Sequence, residues 1–425
     1  MVNFKFTEGG VTAPQGFTAN GVCAGVKQAT SEAITKAAKA NESSVIPNGK
    51  RDLAMIACDK VCNAAAIFTK NLVKSDTIYV TQKHLENGTA QAVIVNSGNA
   101  NACNPDGYEK AEKMAALAAQ ALGIDENDVI VASTGVIGQP LPLAPIESGV
   151  AALKNMMSKD GGANAAEAIM TTDTVKKEWA VQTVIDGKTV TIGGIAKGSG
   201  MIHINMGTTL SFVTTDAAIS SEMLKSALIE AADVSYNMVS VDGDTSTNDT
   251  LAIMASGYAG NAEITEKNAD YAIFLEALTA AFKAVAKKLA ADGEGATKLL
   301  ICSVNGAKDE AAAKTIAKSV ICSSLVKAAM FGADANCGRI LCAVGYSGAE
   351  VDVKKIDVSY RSAKGEILVC QNGCGLAFDE DKAEQILLED EIEIIITLAD
   401  GNGAAEAYGC DLTYDYVKIN GDYRT

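Results

Sequence analysis

The sequence predicts an α/β protein with substantial sheet, and three observations carry that expectation. Apolar runs of strand length alternate along the whole chain with amphipathic runs of helical period. A hairpin signature interrupts the alternation near the middle. The composition, 48% hydrophobic with 38 Gly and only 6 Pro, fits a compact, well-cored chain and not a disordered one.

The elements follow in order. Residues 92–95, Ala-Val-Ile-Val, read as a strand and 108–122 as a helix; 129–131 read as a strand again and 144–157 as a helix. Across 178–198 the pattern is a hairpin: 180–185, a turn at Asp186-Gly187, then 189–192. Two strong helices are expected at 221–232 and 269–290, and two strong strands at 299–304 and 391–398. The 425 residues suit two domains or one large one. No fixed-period repeat, low-complexity tract or Pro/Ser linker marks a boundary.

Charge and residue counts narrow the function. A formal net charge of -16 argues against nucleic acid as a partner, because phosphate binding needs an excess of Lys and Arg on some face. No apolar run reaches the length of a membrane span, and residues 1–10 lack the apolar core of a secretory signal. Eleven Cys scattered through hydrophobic segments read as reduced thiols of a cytoplasmic protein. The pairs Cys58-x3-Cys62 and Cys370-x3-Cys374 read as core thiols, so no metal site is expected. There is no phosphate-binding Gly-x4-Gly-Lys-Ser/Thr loop. Histidine is limited to His84 and His203, so a mechanism has to activate its nucleophile with little imidazole.

The stretch Lys197-Gly-Ser-Gly-Met-Ile-His-Ile-Asn-Met-Gly-Thr-Thr-Leu-Ser-Phe-Val-Thr-Thr-Asp216 offers such a route. A Gly-Ser-Gly turn beside a cation leads to a hydrophobic strand whose first residues are Thr208 and Thr209. The small Gly207 leaves room for a strained peptide bond. A hydroxyl beside that bond can attack the preceding carbonyl, and hydrolysis of the resulting ester frees an N-terminal threonine. Its α-amine, with a reference pKa of about 7.7–8.0, can then act as base for its own hydroxyl. By itself, though, the stretch reads first as an ordinary turn leading into a strand.

Lys-Gly-Ser-Gly-Met-Ile followed by Asn-Met, a small residue, Thr and a strand ending Thr-Thr-Asp-Ala resembles the cleavage signature of the ornithine acetyltransferase family. Other segments resemble that family's motifs in the same order: Asn96-Ser-Gly-Asn-Ala-Asn-Ala-Cys103, Ala132-Ser-Thr-Gly-Val-Ile-Gly138, Met170-Thr-Thr-Asp-Thr174, Asp292-Gly-Glu-Gly-Ala-Thr-Lys298, Asp334-Ala-Asn-Cys-Gly-Arg339 and Asn420-Gly-Asp-Tyr-Arg-Thr425. The resemblance spans almost the whole chain. It implies a layered α/β sandwich with mixed sheets, of the self-cleaving ornithine acetyltransferase or aminopeptidase type. Self-cleavage between Gly207 and Thr208 would give an α chain, 1–207, and a β chain, 208–425, assembled as a heterotetramer.

The same resemblance assigns roles. Thr208 is the nucleophile, and Thr134 and Gly135 form the oxyanion hole. Thr171, Lys197, Thr208, Glu294, Asn420 and Thr425 bind substrate. Without the resemblance, Ser-Thr-Gly at 133–135 reads as a turn or helix cap, and Asn420 and Thr425 as frayed tail. Charge complementarity pairs Lys197 with a substrate α-carboxylate and Glu294 with a side-chain ammonium. The Gly on either side of Glu294 permits close backbone approach. The implied reaction moves acetyl from N-acetylornithine to glutamate without metal or organic cofactor; some members of the family also accept acetyl-CoA as a co-substrate. The chain departs from the family pattern at Ile204, Gly207, Thr209 and Cys337. Two other readings stay open: a self-cleaving amidase or aminopeptidase, and a non-catalytic relative that binds an amino acid.

Overall fold

A computed structural model describes residues 4–35, 49–203 and 209–422. Its centre is a large mixed sheet. From one edge the strands run Phe4–Thr7, Lys177–Ile185, Lys188–Lys197, Leu210–Thr215, Thr250–Ala255, Leu53–Phe68, Thr89–Asn99 and Val129–Val136, with Phe17–Val22 paired to Leu53–Phe68 off this path. Leu210–Thr215 lies parallel to Thr250–Ala255, and Thr89–Asn99 parallel to Val129–Val136; the remaining pairs are antiparallel. A second mixed sheet orders Cys374–Gly375, Gly365–Gln371, Asp357–Ser362, Glu391–Thr397, Leu299–Ala307 and Gly403–Cys410.

Period-two alternation explains how the long strand Leu53–Phe68 is buried on both faces. Leu53, Met55 and Ala57 point into a core shared with the helices Asp76–His84, Gly107–Leu122 and Leu143–Met156. Ala54, Ile56 and Cys58 point the other way, onto Phe17, Phe212 and the helix Gly162–Ala168. The helices Ser221–Asp233 and Ala269–Ala291 share the largest core with strands of both sheets, so sheet, helices and sheet form successive layers. Within that core Trp179 packs edge-on against Phe282 at 5.9 Å, and Phe282 against Tyr236 at 4.9 Å.

The expected elements are present. The helices expected at 108–122, 144–157, 221–232 and 269–290 are Gly107–Leu122, Leu143–Met156, Ser221–Asp233 and Ala269–Ala291. The hairpin turn places Asp186 at φ 49° and Gly187 at φ 69°, the doubly left-handed pair that a two-residue turn with native twist requires. Cys58, Cys62 and Cys370 are buried and free, whereas Cys374 is exposed. One boundary differs: the strand expected to begin at Thr208–Thr209 opens at Leu210, although the Thr209 carbonyl still accepts the Thr250 N–H at 3.4 Å. Thr208 lies outside the described residues. Among the described residues no helix is long and apolar enough to cross a membrane.

Residues on either side of position 207 do not form separate units. Leu210–Thr215 and Thr250–Ala255 sit between Lys188–Lys197 and Leu53–Phe68, so both segments contribute strands to one sheet.

Candidate active site

A cavity of about 310 Å³ is walled by Thr134, Gly135, Val136, Ile137, Thr171, Thr172, Lys197, Gly200, Met201, Ser246, Thr247, Asn248, Glu294 and Asn420. A smaller chamber of about 20 Å³ shares Thr134, Lys197, Gly200, Ser246 and Asn248 as walls and adds Thr209, Leu210 and Asp249. Six residues expected to work together therefore meet on one cavity: Thr134, Gly135, Thr171, Lys197, Glu294 and Asn420. They come from five separate segments of the chain, Thr134 and Gly135 being adjacent. Gly207, Thr208 and Thr425 lie outside the described residues.

Thr134 and Gly135 stand near the end of Val129–Val136, on a strand and not on the turn or helix cap that the bare sequence suggests. Gly135 has φ 132°, and the ladder to Thr89–Asn99 is irregular beside it. A Cβ there would lie 2.3 Å from the Gly98 carbonyl carbon and 2.5 Å from the Asn99 nitrogen. Only glycine can pass this close approach. Buried amides hold the irregular turn. Ser133 Oγ donates to Asn96 Oδ1 at 2.5 Å, and Asn96 Nδ2 donates to the Asn99 carbonyl at 2.9 Å. Asn248 Nδ2 donates to the carbonyls of Ala100 at 2.6 Å and Ser133 at 2.7 Å. A fully bonded buried network of this kind fixes one arrangement, since any broken member leaves a polar group without water.

The cationic side centres on Lys197, buried at the end of Lys188–Lys197, whose Nζ lies 3.9 Å from Asp173 Oδ2. Asp173 also accepts the Gly198 N–H at 2.6 Å, the Thr171 N–H at 3.0 Å and Lys177 Nζ at 2.8 Å. Burial would raise the Asp173 pKa, but Lys197, Lys177 and these donors prevail and hold it at about 2. Lys177 Nζ reaches on to Asp292 Oδ2 at 2.5 Å. Asp292 in turn accepts from the backbone N–H and the hydroxyl of Thr174. The buried Asp173–Lys177–Asp292 triad thus ties the segment around Thr171 and Lys197 to the one that carries Glu294.

The anionic side is Glu294, buried in the turn after Ala269–Ala291. Its N–H donates to the Ser199 carbonyl at 3.0 Å, and its Oε2 accepts from Asn420 Nδ2 at 2.8 Å. Three glycines make the space. A Cβ on Gly200 would lie 2.3 Å from the Glu294 carboxyl, one on Gly293 2.8 Å from Cys410 Sγ, and one on Gly295 2.6 Å from the Tyr416 nitrogen. Asn420 belongs to a helix, Tyr414–Asp422, and not to a frayed tail. That helix is seated by Thr413 Oγ1 on the Gly295 carbonyl at 2.6 Å and by Tyr414 stacked edge-on to Phe331 at 5.7 Å.

Several residues of the site escape motif reading. Asp173 and Asp292 fall inside quoted motifs, but nothing in the sequence says that Lys177 joins them. Ser246, Asn248 and Asp249 belong to a polar run just before a buried strand, and that run is the signal by which they could have been found. Asp249 is buried; burial pushes its pKa up to about 7, against the opposing pull of a Ser246 hydrogen bond and the Lys197 charge. Cys337, one of the departures, packs against the main core and is not on the cavity wall.

The wall therefore carries a threonine and a glycine from one strand end, a buried cation, and a carboxylate held by an amide. That arrangement suits a small molecule carrying both charges and a polar carbonyl between them.

The chain matches the ArgJ family over residues 34–425. The arginine biosynthesis bifunctional protein ArgJ of Caldanaerobacter subterraneus subsp. tengcongensis is 47% identical over 422 residues, 99% of this chain and 100% of that one. The protein of the same name from Symbiobacterium thermophilum is 49% identical over 422 residues, again 99% and 100%. A crystal structure of the Bacillus halodurans ArgJ protein is 46% identical, covers 50% of this chain and 98% of its own, and has a TM-score of 0.48.

Proposed function

Because the chain belongs to the ArgJ family, we propose that it is an acetyltransferase of arginine biosynthesis that passes acetyl from N-acetylornithine to glutamate through Thr208. The observation that carries this reading is the meeting of Thr134, Gly135, Thr171, Lys197, Glu294 and Asn420 on one cavity.

The chain first cleaves itself between Gly207 and Thr208, and residues 1–207 and 208–425 remain together as an αβ unit, two of which associate. The freed α-amine takes the proton from the Thr208 hydroxyl, which attacks the acetyl carbonyl. The Thr134 hydroxyl and the Gly135 N–H receive the oxyanion, and the α-amine returns the proton to the departing ornithine nitrogen. Lys197 takes the α-carboxylate of the substrate, Thr171 borders it, and Glu294, aimed by Asn420, takes the side-chain ammonium. Thr425 completes the proposed set of substrate-binding residues. Glutamate then accepts acetyl from the acetyl-threonine, giving N-acetylglutamate. Amide and ester acyl transfer asks for a nucleophile, a base and an oxyanion site, so no metal or organic cofactor enters the scheme.

The test is the denatured intact mass of the purified protein together with the acetylornithine–glutamate assay. Two fragments meeting between Gly207 and Thr208, with N-acetylglutamate formed only when glutamate is present, are expected. Acetate release independent of glutamate would make the protein an amidase instead. An uncut chain without transfer would overturn the reading. Acetyl-CoA replaces acetylornithine in a parallel assay to read whether it too donates.

A further inference from the structure

Thr134 and Gly135 stand where the sheet that carries them loses its regular ladder. Thr89–Asn99 and Val129–Val136 run parallel, but their register shifts at Gly98 and Asn99, level with Thr134 and Gly135. A bulge of this kind interrupts the ladder that would otherwise fix the backbone. The side chain that crosses the joint is Asn248, from the segment just before Thr250–Ala255. Its Nδ2 donates to the Ser133 carbonyl at 2.7 Å, one residue before Thr134. The same nitrogen donates to the Ala100 carbonyl at 2.6 Å, one residue after Thr89–Asn99. One amide group thus bonds the ends of both strands.

Asn248 is itself held in place. Its Oδ1 accepts from the Thr247 hydroxyl at 2.6 Å, its N–H donates to Ser246 Oγ at 3.1 Å, and its carbonyl accepts from the Thr250 hydroxyl at 3.1 Å. On either side, the Thr247 carbonyl accepts the Ser75 N–H and the Asp249 carbonyl the Thr69 N–H, both at 3.0 Å. The Ala100 carbonyl that Asn248 grips also accepts from Ser75 Oγ at 2.9 Å. Asn248 is buried and borders the same cavity as Thr134 and Gly135. Both Nδ2 hydrogens are committed to protein carbonyls, so the amide has no N–H left to give a substrate. What it can do for a reaction in the cavity it does through the strands it holds.

We propose that Asn248 is a positioning residue for acetyl transfer, fixing the strand end that carries Thr134 and Gly135; the assignment rests on the reading of that pair as the oxyanion hole. The carbonyl that Asn248 holds belongs to the peptide unit whose nitrogen is that of Thr134, so a shift there moves Thr134 at once and Gly135 next. An oxyanion donor is effective only at about 2.7–3.1 Å from the developing charge. A misplacement of about 1 Å can cost on the order of a hundredfold in rate. The substrate carbonyl is neutral until the transition state, so the loss falls on kcat and not on KM. Lys197 and Glu294, which take the substrate's charges, are bonded to Asp173 and Asn420 and not to Asn248, so substrate binding is left intact.

The test is a double-mutant cycle in the acetylornithine–glutamate assay, with rates taken per mole of chain found cleaved by denatured mass. Asn248→Ala is expected to lower kcat by about a hundredfold, with KM for acetylornithine within about twofold of wild type. On a Thr134→Ala background the same change is expected to cost about tenfold or less, because one of the two donors that Asn248 places is already gone. Asn248→Asp keeps the shape but turns a carboxylate onto two carbonyls, and is expected to be no faster than Asn248→Ala. Thr247→Val removes only the bond that fixes Asn248 Oδ1. It should lower kcat by about tenfold on the wild-type background and by under about threefold on Thr134→Ala, and it reads the proposal even if the Asn248 variants fail to fold. Equal losses on the two backgrounds, a raised KM with unchanged kcat, or wild-type kcat in Asn248→Asp overturns the role of Asn248. A Thr134→Ala enzyme with wild-type kcat overturns the reading of the oxyanion hole instead.

Discussion

Gly135 lies against the Gly98 backbone because it carries no Cβ, and Thr134 and Gly135 both line the cavity. Thr134→Ala should lower kcat by about 10²–10³, the usual cost of one oxyanion donor, with little change in Tm. A kcat within about threefold of wild type would remove Thr134 from the mechanism. Asp173 gives a pH prediction whose sign is fixed. Its folded pKa of about 2 lies below its ordinary 3.8, so the stability it supplies is complete above 3.8 and drains away as pH falls toward 2. Asp173→Asn should therefore lose stability at neutral pH and show a shallower loss between pH 4 and 2, as read by thermal melts across that range. At this scale it was the family resemblance, and not residue type alone, that singled out Thr134, Lys197 and Glu294, which the structure brings to one cavity. The sequence was not legible for Asp173 and Lys177, whose roles depend on which distant group each one touches.

Helices and strands deliver these residues, and their joints are where positioning is tested. Lys177 begins the strand Lys177–Ile185 and bonds Asp173 and Asp292 in full burial. Lys177→Met should leave two buried carboxylates without their shared cation and cost about 3–5 kcal/mol in urea unfolding. It should also raise KM for acetylornithine, because Lys197 and the Glu294 turn lose their common anchor. The helix Tyr414–Asp422 was missed in the sequence, where its few apolar positions and terminal place read as tail. What makes it a helix at this position is its seat on Gly295 and Phe331, a tertiary contact. Asn420→Ala should raise KM with kcat less affected, measured by steady-state kinetics. An unchanged KM would make Asn420 a surface residue that merely touches Glu294. The long helix Ala269–Ala291 and the hairpin at Asp186-Gly187 were readable beforehand, since both are set by local pattern: the buried face of Phe274, Leu278, Phe282, Val285 and Leu289 for the one, two left-handed residues for the other.

Across the whole molecule, two strands that follow position 207 are inserted between strands that precede it in the large sheet, so a cut there severs a connection and not a domain. Fragments 1–207 and 208–425 are thus expected to co-elute from size exclusion in native buffer and to separate only in denaturant; separation without unfolding would contradict the shared sheet. The sequence by itself determined the α/β class, the order of the main elements, the family and the residue types that acyl transfer needs. Those follow from local periodicity and from motifs short enough to be read along the chain. Only the tertiary structure decided that six of those residues share one cavity, that a buried Asp–Lys–Asp triad ties its two sides together, and that Asp249 stands beside Thr209. Each of these depends on sheet register and packing between segments far apart in the chain, sums of many weak contacts that no single stretch of sequence contains.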